Sequence, residues 1–177
     1  MATYARATSR NVKQALDALA RAAGDVEKAA GRALTQVGMF YARELKRGIV
    51  SQAPGGQPFK PLADITIAYK HSTKALIDEG DFKAAITHRR VNPKAVFSGI
   101  LRTAPHPRYK GTIANLGAIH EEGSKTVPGH PPARPWLRPI ARSVRLAADA
   151  NRLYRRAVAK RLRATLGRRF NVTTRDV

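Results

Sequence analysis

Ile119-His120-Glu121-Glu122-Gly123, an extension from Ser124 to Pro132, and then Ala133-Arg134-Pro135-Trp136-Leu137-Arg138-Pro139-Ile140 form the stretch around which the chain is organised. A short apolar segment ends at Gly123, and Pro128, Pro131, Pro132, Pro135 and Pro139 follow within twelve residues. Each proline fixes φ at about −65° and removes a backbone donor, so neither a helix nor a central strand runs through them. Polyproline-like extension is the expected result. The single tryptophan, Trp136, then opens the most basic helix. Such an arm does not pair with its own sheet and is free to lie on a neighbour. The chain therefore divides into an α+β core with N-terminal helices and a proline-rich arm, residues 1–133, and a basic C-terminal helix and tail, residues 134–177.

Upstream, residues 9–23 read as a helix with Ser9 as its cap and Val12, Leu16, Leu19 and Ala20 on one face. Gly24 interrupts it. A second helix starts at Asp25 and carries Ala29, Ala30, Ala33, Val37, Phe40, Tyr41 and Leu45 on one stripe, with Gly48 as its stop. Residues 51–61 form a loop on composition, and Asp64 caps a short helix through Tyr69. Alternation over 84–91 and 95–101 predicts a hairpin turning at Asn92-Pro93-Lys94, with Gly99 as a possible bulge. Residues 113–119 form a short helix or strand–helix junction. Beyond the arm, a helix over 139–166 shows Ile140, Val144, Ala147, Ala148, Asn151, Tyr154, Val158 and Leu162 on one face, and Gly167 ends it.

The length supports one domain with a core, and 43% apolar residues argue against wholesale disorder. No apolar run approaches the roughly 20 residues that span a bilayer, and no secretory h-region is visible. The absence of Cys excludes disulfides, thiolate metal sites and a Cys nucleophile, and fits an intracellular birthplace. Charge is the dominant feature: 33 Lys and Arg against 12 Asp and Glu, net +21. Residues 134–177 hold 13 of the basic groups and 2 of the acidic ones, so about half of the excess lies in the last quarter of the chain. Such a field repels copies of itself and attracts polyanions or acidic protein surfaces.

Catalytic signatures are missing. His120-Glu121 begins a zincin pattern, but Ser124 stands where the second His belongs. His71, His88, His106, His120 and His130 have no ligand spacing between them, and a lone His120 beside an apolar segment reads as structural. Pro54-Gly55-Gly56 lacks the Gly-Lys-Ser/Thr of a phosphate loop. Asp78, Glu79 and Asp81 suggest a cation site, yet the residues after them break the EF-hand pattern, and a turn leading into the sheet is the simpler reading. The chain thus reads as a non-enzyme without cofactor or metal.

The order of elements resembles tail-completion and neck proteins of tailed bacteriophages, the phage virion morphogenesis family. The likeness covers about residues 26–141. It rests on Pro58-Phe59-Lys60-Pro61-Leu62, on Ile77-Asp78-x-Gly80, on Ile119-His120-x-x-Gly123, and on Pro132-Ala133-Arg134-Pro135 followed by Trp136-Leu137. The resemblance implies an α+β protomer with helices on one side of an antiparallel sheet. It implies a homo-oligomeric ring, typically sixfold, at the neck of a virion, assembled in the host cytoplasm. There it would join head to tail or terminate the tail beside connector, tail-tube or terminator proteins, around the DNA channel.

On this reading the proline arm lies over the next protomer, and Pro131, Pro132, Arg134, Pro135, Trp136 and Arg138 are the candidate protein interface. Trp136 reads equally as a core anchor. Arg152, Arg155, Arg156, Arg161 and Arg163 are candidates for facing DNA, for facing acidic protein, or for a merely solvated face. The alternative function is sequence-nonspecific nucleic-acid binding. Aromatics make up only 6%, which speaks against single-strand stacking. A membrane-surface helix is disfavoured because the apolar face of the basic helix lacks bulky anchors.

Overall fold

The computed structural model describes residues 9–108, 110–124, 126 and 131–170. It is an α+β fold built on one helix. In chain order the elements are α1 (Ser9–Val50), a 3₁₀ turn (Pro54–Gly56), α2 (Asp64–Lys70), α3 (Asp81–Ala85), β1 (Ile86–Asn92), β2 (Ala95–Ile100), α4 (Ile113–Glu122), α5 (Arg138–Ala141) and α6 (Val144–Phe170).

The two tandem helices expected at the N-terminus are one helix of 42 residues. Gly24 does not break it. A mid-helix Gly costs only about 1 kcal/mol relative to Ala, and the Ala-rich flanks supply strong helix formers without a Pro. The first buried position is Ala29; among the described side chains none from Val12 to Lys28 is buried. Val12, Leu16, Leu19 and Val26 are 44 to 66% exposed. With Ala23 they fall at alternating spacings of four and three, which is the seam of a coiled coil.

The β1–β2 hairpin is antiparallel and turns where expected. Its irregularity lies between Arg90 and Asn92, not at Gly99, which pairs regularly with Thr87. The hairpin lies against α1. A Cβ on Gly38 would strike Val96, and Ser98 Oγ donates to the Gly38 carbonyl at 3.0 Å, so the missing side chain lets the strand reach the helix backbone. Asp64 does not cap α2; Ala63 holds the cap position without a side-chain bond.

The helix expected over 139–166 is broken in two. Ser143 Oγ accepts from the Leu146 N–H, so it caps a new helix, and α6 then runs through Gly167 to Phe170. The restart resets the phase. Val144 is 84% exposed and Ala147, Ala148 and Asn151 are exposed too, whereas Leu146 and Ala150 are buried. Residues 140–146 lie beside 44–51 and residues 153–164 beside 29–36, so α6 runs antiparallel to α1.

The core joins Ala42, Leu45 and Ile49 of α1 to Phe82, Ile86, Ile100, Ile113, Trp136, Ile140 and Leu146. Phe82 and Trp136 meet edge to face at 5.1 Å. Among the described residues no helix is long and apolar enough to cross a membrane.

Candidate functional site

The segment expected to reach a neighbour is fastened to its own protomer at both described ends. Ser124 N–H donates to the Pro131 carbonyl at 3.1 Å, and Arg134 N–H donates to the His120 carbonyl at 2.6 Å. Lys125 and residues 127–130 lie outside the described residues. Trp136 is 5% exposed, and its indole N–H donates to the Gly117 carbonyl at 2.9 Å. The absent side chain of Gly117 makes room for the indole. Glu121 anchors the turn into α5. Its Oε2 accepts from the N–H groups of Trp136 (2.8 Å) and Leu137 (2.9 Å), and its Oε1 from that of Arg138 (2.9 Å). A carboxylate on a run of free amides at a helix start is a charge-assisted cap.

Of the six candidate interface residues, Trp136 is therefore spent inside the protomer, its buried indole N–H on a carbonyl at home, while Arg134 is buried with Nε and Nη2 on carbonyls and without a carboxylate within 4 Å among the described residues. Pro131, Pro132, Pro135 and Arg138 retain surface, and Arg138 pairs with Glu122.

The candidate polyanion-facing residues are all exposed. Arg152 is paired with Asp149 one turn away. Arg156 and Arg161 join Lys160 and, from α1, Arg32 along a groove of about 430 Å³ between the two helices. None of these four has a carboxylate within 4 Å among the described residues; the ion pairs found belong to Arg43, Arg47, Arg108, Arg138 and Arg152. Arg155 and Arg163 lie outside the groove lining. The contribution of Arg32 was not visible in the sequence, since it comes from a different helix.

The acidic turn holds a cation, but an internal one. Arg108 reaches Glu79 at 2.6 Å, Asp81 at 2.9 Å and Asp78 at 3.3 Å. Beside it opens a cavity of about 600 Å³. Leu62, Leu76, Phe82, Leu116, Pro131 and Pro132 give it apolar walls, and Lys70, His120 and Arg134 line it together with Arg108, Asp78 and Asp81. Arg134 is 4% exposed; its Nε donates to the Lys60 carbonyl at 2.8 Å and its Nη2 to the Pro61 carbonyl at 2.7 Å. Loss of hydration holds its pKa below the ordinary arginine value. His120 is pushed down to about 4, first by burial and then by the charges of Arg134 and Lys70, so its imidazole is neutral near pH 7. Its Nδ1 has no partner among the described residues. Lys70 is lowered as well, mainly by burial, with Asp78 opposing and Arg134 adding to the shift.

The chain matches no protein-family model, no curated protein and no solved structure.

Proposed function

We propose that the protein is a structural component of a phage neck or tail-completion ring, in which copies associate through the uncovered seam of α1 and the basic groove of α6 meets DNA backbone or the acidic face of an adjoining ring. The observation that carries this reading is the pairing, on one protomer, of an uncovered heptad-spaced apolar seam with a cationic groove whose basic residues have no carboxylate within 4 Å among the described residues. The first gives a reason for copies to associate. The second, within a chain of net +21, gives the assembly a reason to enclose or abut negative charge. The order of motifs from Pro58 to Leu137 adds the resemblance to neck proteins.

Tailed particles carrying the gene, probed by mass spectrometry and by antibody labelling at the head–tail junction, test the proposal; particles without the protein would end it. In solution, sedimentation should give one discrete closed oligomer, and L16E/L19E should reduce it to monomers with an unchanged circular dichroism spectrum.

The groove at Arg32, Arg156, Lys160 and Arg161 also favours a second reading, sequence-nonspecific duplex binding by a free monomer. That reading expects monomers at every concentration and a steep salt dependence, about 0.9 in log K per log salt for each phosphate neutralised.

A further inference from the structure

We propose that α2 and the cavity behind it form a docking site for a protein segment that presents an Asp or Glu side chain flanked by apolar residues. The proposal stands whether or not the neck reading holds, because it uses neither the α1 seam nor the α6 groove.

The first observation is a missing counter-charge. Arg134 is 96% shielded from water, yet among the described residues no carboxylate lies within 4 Å of it. Its two hydrogen bonds go to the carbonyls of Lys60 and Pro61, which satisfy donors but carry no net charge. A buried unpaired cation is among the costlier things a fold can hold, so its retention asks for an anion from outside. Its surroundings sharpen that demand. Lys70 lines the same cavity, and His120 adds an imidazole whose Nδ1 is orphaned. Asp78 and Asp81 line the same cavity but, with Glu79, converge on Arg108.

The second observation selects the anion. A nucleic-acid backbone would bring a run of phosphates past Asp78 and Asp81, which line the same cavity. A single carboxylate would not. The apolar walls suit the flanks of such a group better than they suit hydrated phosphate.

The third observation selects a protein as its source. Thr66 and Lys70 of α2 line the cavity, while Ile65 and Tyr69, each one position earlier, are 81% and 83% exposed. They lie one turn apart on a helix that has no buried residue. An apolar shelf beside a cationic cavity is what an acidic side chain with apolar neighbours would cover together.

The test is calorimetric titration of the full-length chain with the blocked peptide acetyl-Leu-Pro-Glu-Leu-Leu-amide, its Gln counterpart and sodium acetate. The Glu peptide should bind saturably and the Gln peptide at least about tenfold more weakly, a difference of one charge-assisted contact. K70Q should weaken the Glu peptide by about tenfold, and Y69A should weaken both peptides alike. T66W should abolish binding by filling the cavity. These positions are exposed or half-buried, so an unchanged circular dichroism spectrum accompanies each loss. The His120 ring, followed by NMR, should take up its proton at a higher pH once the carboxylate is seated. Absence of saturable binding, equal affinity for the Glu and Gln peptides, or indifference to K70Q overturns the proposal. Acetate binding as tightly as the peptide overturns the assignment to a protein segment.

Discussion

The turn from α4 into α5 and the outward side of α6 are both arginine-rich, and they use their charge in opposite ways. Around Trp136, charge is turned inward. Glu121 caps three successive amides, Arg138 pairs with Glu122, and Arg134 clamps the loop at Lys60 and Pro61. Along α6, Arg156, Lys160 and Arg161 face outward beside Arg32, with no acid answering them among the described residues. The same residue type thus fastens one region of the protomer and leaves another unneutralised. What separates them is whether carbonyls and carboxylates converge on the guanidinium.

Substitutions in the two regions should differ accordingly. The largest effect is expected for Trp136→Ala, which removes the indole and its hydrogen bond to the Gly117 carbonyl from the core. A loss of about 3–5 kcal/mol in urea unfolding is expected; a loss under about 1 kcal/mol would mean that the α4–α5 region is not the centre of the fold.

Next comes pH. His120 has a folded pKa of about 4 against an ordinary 6.5, so the unfolded chain binds the extra proton between these values. Its share of stability is complete above about pH 6.5 and is lost as pH falls toward 4, a change of about 3 kcal/mol. Arg134 and Lys70 stay charged through this window and add no slope of their own. His120→Leu should flatten the stability curve there, and an unchanged curve would remove the buried neutral imidazole from the comparison.

Glu121→Gln keeps the shape but weakens three charge-assisted contacts, and about 1–2 kcal/mol should be lost. The smallest effects belong to α6. Arg155→Gln and Arg163→Gln should each change stability by less than about 0.5 kcal/mol. In duplex or polyanion binding each should reduce the salt slope by at most about 1. A stability loss there comparable to that of Glu121→Gln would erase the distinction between the regions.

Most helices and the hairpin are legible in the sequence because they follow from local spacing and from punctuation at Asn92-Pro93 and Gly123. The errors share a cause. The phase of α6 is misread when it is carried forward from Ile140, because a single hydroxyl, that of Ser143, restarts the helix and turns Val144 outward. The gap at Gly24 is misread because a local cost of about 1 kcal/mol loses to the cooperative propagation of a long helix. The arm's composition leaves Trp136 open between core and interface, because prolines report what a backbone avoids, not where Arg134 and Trp136 find acceptors. The cavity at Lys70, His120 and Arg134 leaves no trace in spacing at all: its lining comes from α2, α4 and the segment after the arm, and only the fold brings them within reach of one another.

One mechanical consequence follows from the unbroken course of α1. About 37 residues separate Ile49, seated in the core, from Val12, which at 1.5 Å per residue is roughly 55 Å of rod. A tilt of about 5° where the sheet rests on that rod would swing its far end by roughly 5 Å. A small displacement where β1 and β2 meet α1 thus has a lever with which to realign whatever the distant tip grips.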